Sequence, residues 1–478
     1  MNRSLRHPVV VLALLVSTSP ASAQSATAPA GPTALRHGDT IVFVGDETID
    51  TADPRRNIAF PLLVETFLTV RYPELRLEYH YAGWAGDTVG RALLRLDRDV
   101  LSRNPTVIVI CLGLNDPRYA TAAEQTKLLP AFKEQLAALV ERCRQTGARV
   151  WLVSPPAVRE QLGQTVRVTV EGKSSYVDLS AIAYNQTLQE YTNAMRELAQ
   201  TAEVGFVDWL AAMAAEQINP APTREDELYS PNDPRIPLAR GQAAAAMKLL
   251  QAWGAQPSRT EINLDWTAGT ASVDVPTGGT GQPAISVTVT EQGQRILEMK
   301  NLPIPGGRPA ALKSHWSAAA MCQFLFRITD PPPLGIRLNQ QMADGTSRGD
   351  LAISASQLRA GLNLALAAPM QATTEAQDLL RLITLKHSYR YNTWRRLELS
   401  PPEETELVEA QRQLATAWQA YATAYERIIA RRPKTFFARL ILAEDVPEER
   451  LPTAQPTRPR PAEEESNATA PAGTAPAQ

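Results

Sequence analysis

Three cysteines in 478 residues are too few for a disulfide framework. Cys111 closes an apolar run and Cys143 falls on a helical pattern, so both read as core or free thiols, and with Cys322 far along the chain no structural disulfide is expected. Histidine is almost as scarce. Any chemistry that needs an imidazole must draw on His7, His37, His80, His315 or His387. There is no excess of either charge, with 48 Lys and Arg against 50 Asp and Glu, net −2. That balance lacks the basic face of a nucleic-acid binder, and no nucleic-acid partner is expected. Long apolar runs are missing too. Val9–Val16 is too short to span a bilayer, and no later window offers about 18 uncharged apolar residues, so no transmembrane segment is expected once the first segment is removed.

What the chain does have is a hydrophobic share of 44%, enough to bury real cores, and a length that suits two or three domains. Its first 23 residues read as an export signal. Arg3, Arg6 and His7 give a basic start, Val9–Val16 an apolar stretch, and Ala21-Ser22-Ala23 a small-x-small cleavage site. Cleavage there predicts a periplasmic or extracellular protein, and loss of Arg3 and Arg6 takes the net charge from −2 to about −4. Residues 24–35, mostly Ala, Ser, Thr and Pro, read as a linker.

From Thr40 an alternation of strands and helices begins. Ile41–Val44 and Thr106–Leu112 are short apolar runs of the buried-strand type, Leu75–Tyr81 alternates, and Arg149–Val153 and Val204–Val207 complete a set of strands. Phe60–Arg71, Ala122–Thr146, Tyr184–Thr201 and Gly241–Trp253 carry helical spacing. This rhythm predicts an α/β domain over 36–255, a parallel sheet covered by helices on both faces. A period-2 pattern then takes over. Ile285, Val287 and Val289 alternate, as do Cys322, Phe324, Phe326 and Ile328, which predicts a small β-rich module over 261–366. Met370–Leu397 and Glu404–Arg432, joined by Pro401-Pro402, predict a helical pair within a 370–445 segment that ends in a strand. Residues 451–478, rich in Pro, Glu, Ala and Thr, are expected to be disordered.

Three loops gather the chemistry. Gly45-Asp46-Glu47-Thr48 follows the first strand, Gly86-Asp87-Thr88 follows the second, and Gly113-Leu114-Asn115-Asp116 follows the third. In an open parallel sheet, ligands bind at the carboxyl ends of strands, where these loops fall, although plain turns also explain the glycines. Asp46, Glu47, Asp87, Asp116 and Asp233 could offer oxygens to a hard cation, but no calcium-loop spacing is present, and neither metal nor cofactor is expected. Glu47 with Asp233 as a glycosidase-like carboxylate pair is a further alternative.

These blocks resemble those of the SGNH or GDSL hydrolases, exported esterases and deacetylases with a flavodoxin-like sheet. The family's Gly-Asp-Ser block corresponds to Gly45-Asp46-Glu47, its Gly-Asp-Thr to Gly86-Asp87-Thr88, and its Gly-x-Asn-Asp to Gly113–Asp116. Its Asp-x-x-His-Pro corresponds to Asp233-Pro234-Arg235-Ile236-Pro237. The resemblance implies a three-layer flavodoxin-like domain followed by a β module and helices, and a carbohydrate or acyl-ester ligand. It also implies that the nucleophilic serine position holds Glu47, the histidine position Ile236 and the acid position Asp233. Without hydroxyl and imidazole the ester-cleaving route is broken. The expected oxyanion donors remain: the Gly86 N–H, the Asn115 amide, and an N–H at Asp46 or Glu47. The same residues can be read more plainly, with Asn115 pinning a turn and Asp233 capping a helix. The leading expectation is therefore a degenerate hydrolase serving as a binding module, and the alternative is an active ester hydrolase using Glu47 or a non-standard base. Glu47, longer than serine, is expected to turn its carboxylate into its own oxyanion hole. Reverting both positions, Glu47→Ser with Ile236→His, would then put hydroxyl and imidazole back in line with Asp233.

Overall fold

A computed structural model of the protein describes residues 34–50, 58–218, 227–275, 283–304, 322–341, 346–365, 371–393 and 404–444. The expected signal segment 1–23, nearly all of the 24–35 linker, His315, Pro401-Pro402 and the 451–478 tail lie outside these residues.

The first domain has seven strands: β1 (Thr40–Gly45), β2 (Glu78–Gly83), β3 (Val107–Cys111), β4 (Arg149–Val153), β5 (Thr165–Val170), β6 (Lys173–Asp178) and β7 (Gly205–Val207). Its helices are α1 (Phe60–Arg71), α2 (Val89–Asp99), α3 (Ala122–Arg144), α4 (Tyr184–Thr201), α5 (Trp209–Gln217) and α6 (Ala239–Ala252). Five strands form one parallel sheet in the order β2-β1-β3-β4-β7, the flavodoxin-like arrangement. Both faces are apolar for a period-2 reason. Ile41, Phe43, Val107 and Val109 point into the core shared with α1 and α6, while Val42, Val44, Ile108 and Ile110 point into the core under α2, α3 and α4. The alternation at Leu75–Tyr81 enters the sheet only from Glu78, because Pro73–Leu75 forms a 3-10 turn first. Strands β5 and β6 form an antiparallel hairpin of their own. The elements predicted from the sequence include none there.

The later strands are β8 (Ser258–Asp265), β9 (Thr270–Asp274), β10 (Ala284–Val289), β11 (Arg295–Pro303), β12 (Cys322–Thr329), β13 (Ile336–Gln341), β14 (Ser347–Ile353), β15 (Leu362–Asn363) and β16 (Thr435–Ala443), with helices α7 (Ala355–Ala360), α8 (Gln371–Asn392) and α9 (Thr405–Arg431). They build two sheets, β10-β11-β16-β13-β14 and β15-β12-β8-β9. The terminal strand β16 is the central strand of the first of these. Phe436, Ala438, Leu440 and Leu442 alternate inward into the common core, so the chain returns to the β module after its helical excursion.

The helical pair is fastened to the first domain by a buried polar knot. Glu65 of α1 accepts from Tyr81 Oη at 2.5 Å and His387 Nε2 at 2.6 Å, and pairs with Lys386. Burial alone would raise the Glu65 pKa, but Lys386 and His387 outweigh it and hold the carboxyl well below its usual range. Burial pushes His387 down to about 3, so the ring is neutral and donates through Nε2. Arg390 adds a bond to the free edge of the sheet, donating to the Tyr79 carbonyl at 2.9 Å.

Candidate functional site

The strand order reverses between β1 and β3, the place in an open parallel sheet where the following loops diverge and a ligand crevice is expected. Glu47 follows β1 and Asn115 follows β3. Gly45 closes β1 where no side chain fits, since a Cβ there would lie 2.2 Å from the Cys111 carbonyl oxygen. Asp46 then turns back on its own loop, accepting from the Thr48 N–H at 2.9 Å and the Thr48 hydroxyl at 2.7 Å. Burial, then the neighbouring Glu47, raises the Asp46 pKa well above the usual carboxylate range.

The Glu47 side chain runs into the crevice. Its Oε2 accepts from the Gly86 N–H at 2.8 Å and from Asn115 Nδ2 at 2.7 Å. Its Oε1 accepts from Arg235 Nη1 at 2.9 Å. Arg235 in turn grips Asp233 with two prongs, Nε to Oδ1 at 3.0 Å and Nη2 to Oδ2 at 2.7 Å. The chain of charges therefore runs Asp233, Arg235, Glu47, and ends on two neutral donors. The Glu47 and Arg235 side chains are 11% and 8% exposed, whereas Asp233 is 26% exposed and forms the outer end. Burial works against the Arg235 charge, but Tyr119, Glu47 and Asp233 together raise its pKa further.

The supporting contacts fix these groups. Tyr119 Oη accepts from Arg235 Nη1 at 2.9 Å and donates to Asn115 Oδ1 at 2.8 Å, which leaves the Asn115 amide nitrogen aimed at Glu47. Tyr119 is stacked on Tyr184 with ring centroids 4.7 Å apart, and Tyr184 Oη donates to the Leu114 carbonyl. The β5–β6 hairpin lies against the Gly86 loop. Gly86 has φ +75°, and a Cβ on it would meet the Thr169 carbonyl oxygen at 2.4 Å. Glu171 of the hairpin accepts from Thr88 Oγ1 at 3.1 Å and pairs with Arg118 at 3.0 Å.

Of the residues singled out from the sequence, Glu47, Gly86 and Asn115 meet directly, and Asp233 joins them through Arg235. Ile236 is half-buried next in the chain. Its N–H donates to the Asp233 carbonyl at 3.1 Å and its carbonyl accepts from the Ser230 N–H at 2.9 Å, so its recorded bonds belong to the turn. Asp87 pairs with Arg95 at 2.7 Å instead of entering the crevice. Asp116 accepts from the Val89 N–H at 2.8 Å, at the start of α2. Its other oxygen has no hydrogen-bond partner, and burial pushes its pKa up to about 7. His80 and His387 line a cavity of about 270 Å³ between β2 and α8, and His37 lies against the Glu74 carbonyl at 2.8 Å. Among the described residues no cluster of three or more His, Cys, Asp or Glu side chains is arranged to hold a metal ion. Sequence reasoning passed over Arg235, Tyr119 and the hairpin. Only the hairpin had left a signal: Val166, Val168 and Val170 alternate ahead of Glu171-Gly172, which take φ 49° and 81°, both positive as in a tight hairpin turn.

Comparison with known proteins agrees with this architecture. Residues 43–233 match the GDSL-like Lipase/Acylhydrolase family. No curated protein matches the sequence significantly. Among solved structures, a gut microbial diltiazem-metabolizing enzyme aligns with TM-score 0.57 at 18% identity, covering 87% of this chain and 100% of its own. An acetylxylan esterase from Geobacillus stearothermophilus aligns with TM-score 0.36 at 19% identity, over 46% of this chain and 96% of its own. The first alignment shows that the hydrolase-like domain, the β sheets and the helices occur together in another protein.

Proposed function

We propose that the protein is an exported hydrolase-fold protein that has exchanged ester cleavage for binding, with a carbohydrate or acyl-ester ligand recognised at the loops that follow the parallel strands. The observation that carries this reading is the position of the Glu47 carboxylate, 2.8 Å from the Gly86 N–H and 2.7 Å from Asn115 Nδ2. Those are the donors an acyl-transfer site would aim at a developing oxyanion, and here a permanent anion occupies them. The arrangement also speaks against Glu47 as nucleophile or base. Its carboxylate oxygens are already met by two neutral donors and an arginine, which hold it in place away from a substrate. Among the described residues no histidine, the usual proton acceptor, bonds to Glu47, Asn115 or Arg235. Export rests on the basic start, the short apolar stretch and Ala21-Ser22-Ala23. Two assays test the reading together. Hydrolysis of an activated acetyl ester should stay at the uncatalysed rate, while acetylated oligosaccharides, compared with deacetylated ones, should raise the melting temperature by mass action. Turnover above background that disappears in Glu47→Ala would overturn it.

A further inference from the structure

Helix α9 uses one side to pack on α8. Ala422 and Ile429 are buried there, with Val408 and Ala415 half-buried in the same seven-residue series. One residue earlier in each heptad, a second apolar series is left exposed, its Tyr421 also stacking by one ring face on Tyr389 of α8 with centroids 5.1 Å apart. Leu407, Leu414, Tyr421 and Ile428 recur every seven residues and are 54%, 42%, 56% and 44% exposed. Between them, at the matching three-residue offset, stand Ala410, Ala417 and Ala424, all exposed. Large residues at one position and alanines at the other make a complete a/d seam along a helix of 27 residues, about 40 Å at 1.5 Å per residue. An ordinary surface helix shows one apolar stripe, and α9 shows two.

We propose that this outer seam is the interface of a two-fold, antiparallel dimer of the protein. The sequence of the seam is complementary to its own reverse. With the two-fold axis between residues 415 and 416, Leu407 falls opposite Ala424 of the second copy, Leu414 opposite Ala417, and Tyr421 opposite Ala410. Each layer thus holds one large and one small residue, the condition for close interdigitation, and an isologous interface requires every pairing to occur twice. The same register sets Glu406 of one copy beside Arg427 of the other at both ends. Both residues are exposed, and neither forms an ion pair among the described residues. A parallel pairing would stack alanine on alanine in every second layer and would leave Glu406 facing the uncharged Gln411.

Sedimentation of the full chain from about 1 to about 100 µM reads this directly. The wild type should show a concentration-dependent dimer. Leu414→Glu places a charge in the central layer and should weaken association by at least about tenfold, with an unchanged circular dichroism spectrum. Glu406→Arg alone should weaken it about three- to tenfold, because both ends then oppose like charges, and Glu406→Arg with Arg427→Glu should restore it to within about twofold. A wild type that stays monomeric at the upper concentration overturns the proposal, including the case in which residues 445–478 of the same chain cover the seam. So does a dimer indifferent to Leu414→Glu, which would use another surface. A double variant no tighter than the single one would refute the antiparallel register.

Discussion

Replacing Arg235 with methionine keeps the length of the side chain and removes its charge. In the structure this strips Glu47 Oε1 of its partner and Asp233 of a bidentate clamp. Removing one member of a buried ion pair costs about 3–5 kcal/mol, because the other charge stays behind in a poor solvent. Glu47 keeps two donors, from Gly86 and Asn115, and Asp233 is exposed enough to hydrate, so the cost should fall near the lower limit, about 3 kcal/mol. For a domain of this one's size that lowers the melting temperature by about 6–12 °C. Glu47→Gln is the milder change. Its amide oxygen can still accept from Gly86 and Asn115, and Arg235 remains clamped by Asp233, so about 1–2 kcal/mol is expected. The double variant should cost less than the two singles together, by about 1–3 kcal/mol, since each single leaves its partner unsatisfied. Urea unfolding of all four proteins closes the cycle. Additivity within about 0.5 kcal/mol, or an Arg235→Met variant as stable as wild type, would refute the buried lock.

Gly86→Ala should destabilise the first domain, because a Cβ at φ +75° meets the Thr169 carbonyl at 2.4 Å, and thermal unfolding together with hydrogen exchange of Thr165–Val170 should register the displaced hairpin. Acid should loosen the helical pair from the first domain: His387 is depressed to about 3, so below pH 6.5 the unfolded chain binds a proton the folded one refuses, and Glu65, also depressed, adds a loss below pH 4.5. The contribution of this knot should therefore fall from pH 6.5 towards pH 3, against the opposite contribution of Asp46 and Asp116, whose pKa values are raised, so the stability difference between wild type and His387→Gln should change across that range; a constant difference would count against the assignment. Repair of ester hydrolysis is expected to need three changes and not two, since Arg235 already occupies both oxygens of Asp233. Glu47→Ser with Ile236→His should stay at background, and adding Arg235→Ala should bring activated-ester turnover above it.

The sheet was legible because its strands are buried on both faces and read as continuous apolar runs, as at Ile41–Val44 and Thr106–Leu112. The three loops were legible because glycines mark where the backbone must turn or crowd. Arg235 was not, for a physical reason. A lone arginine between prolines is an ordinary surface residue in any pattern, and its meaning comes from Glu47, 188 residues earlier. Tyr119 was hidden in the same way, since its role depends on an amide oxygen it meets only after folding. The hairpin β5–β6 had a signal that was overlooked because Lys173–Asp178 is polar and exposed, with Tyr176 76% exposed, and lacks the buried face that gives strands their usual signature. Strand β16 could be suspected from its alternation, but its central place between β11 and β13 is a long-range pairing that local pattern does not encode.

Glu47, Arg235 and Asp233 make one electrostatic unit. Gly86 and Asn115 are positioned to meet negative charge, so a carboxylate at position 47 is met by existing donors instead of lying unpaired. Arg235 neutralises that carboxylate while reaching Asp233, two residues away in its own loop. One positive and two negative groups leave a single negative charge, and the least buried of the three, Asp233, carries it at the outer end. Asp46 lies behind the unit, its pKa raised by burial and then by Glu47. A ligand arriving from solvent therefore meets an acceptor-rich rim over a filled anion hole. Under the proposed binding role, free carboxylates and phosphates should be repelled by that rim, and an acyl oxygen would find its donors already occupied. In that role hydroxyl groups would donate to the outer face of Asp233, so sugar hydroxyls, more than the acid half of an ester, are the expected contacts.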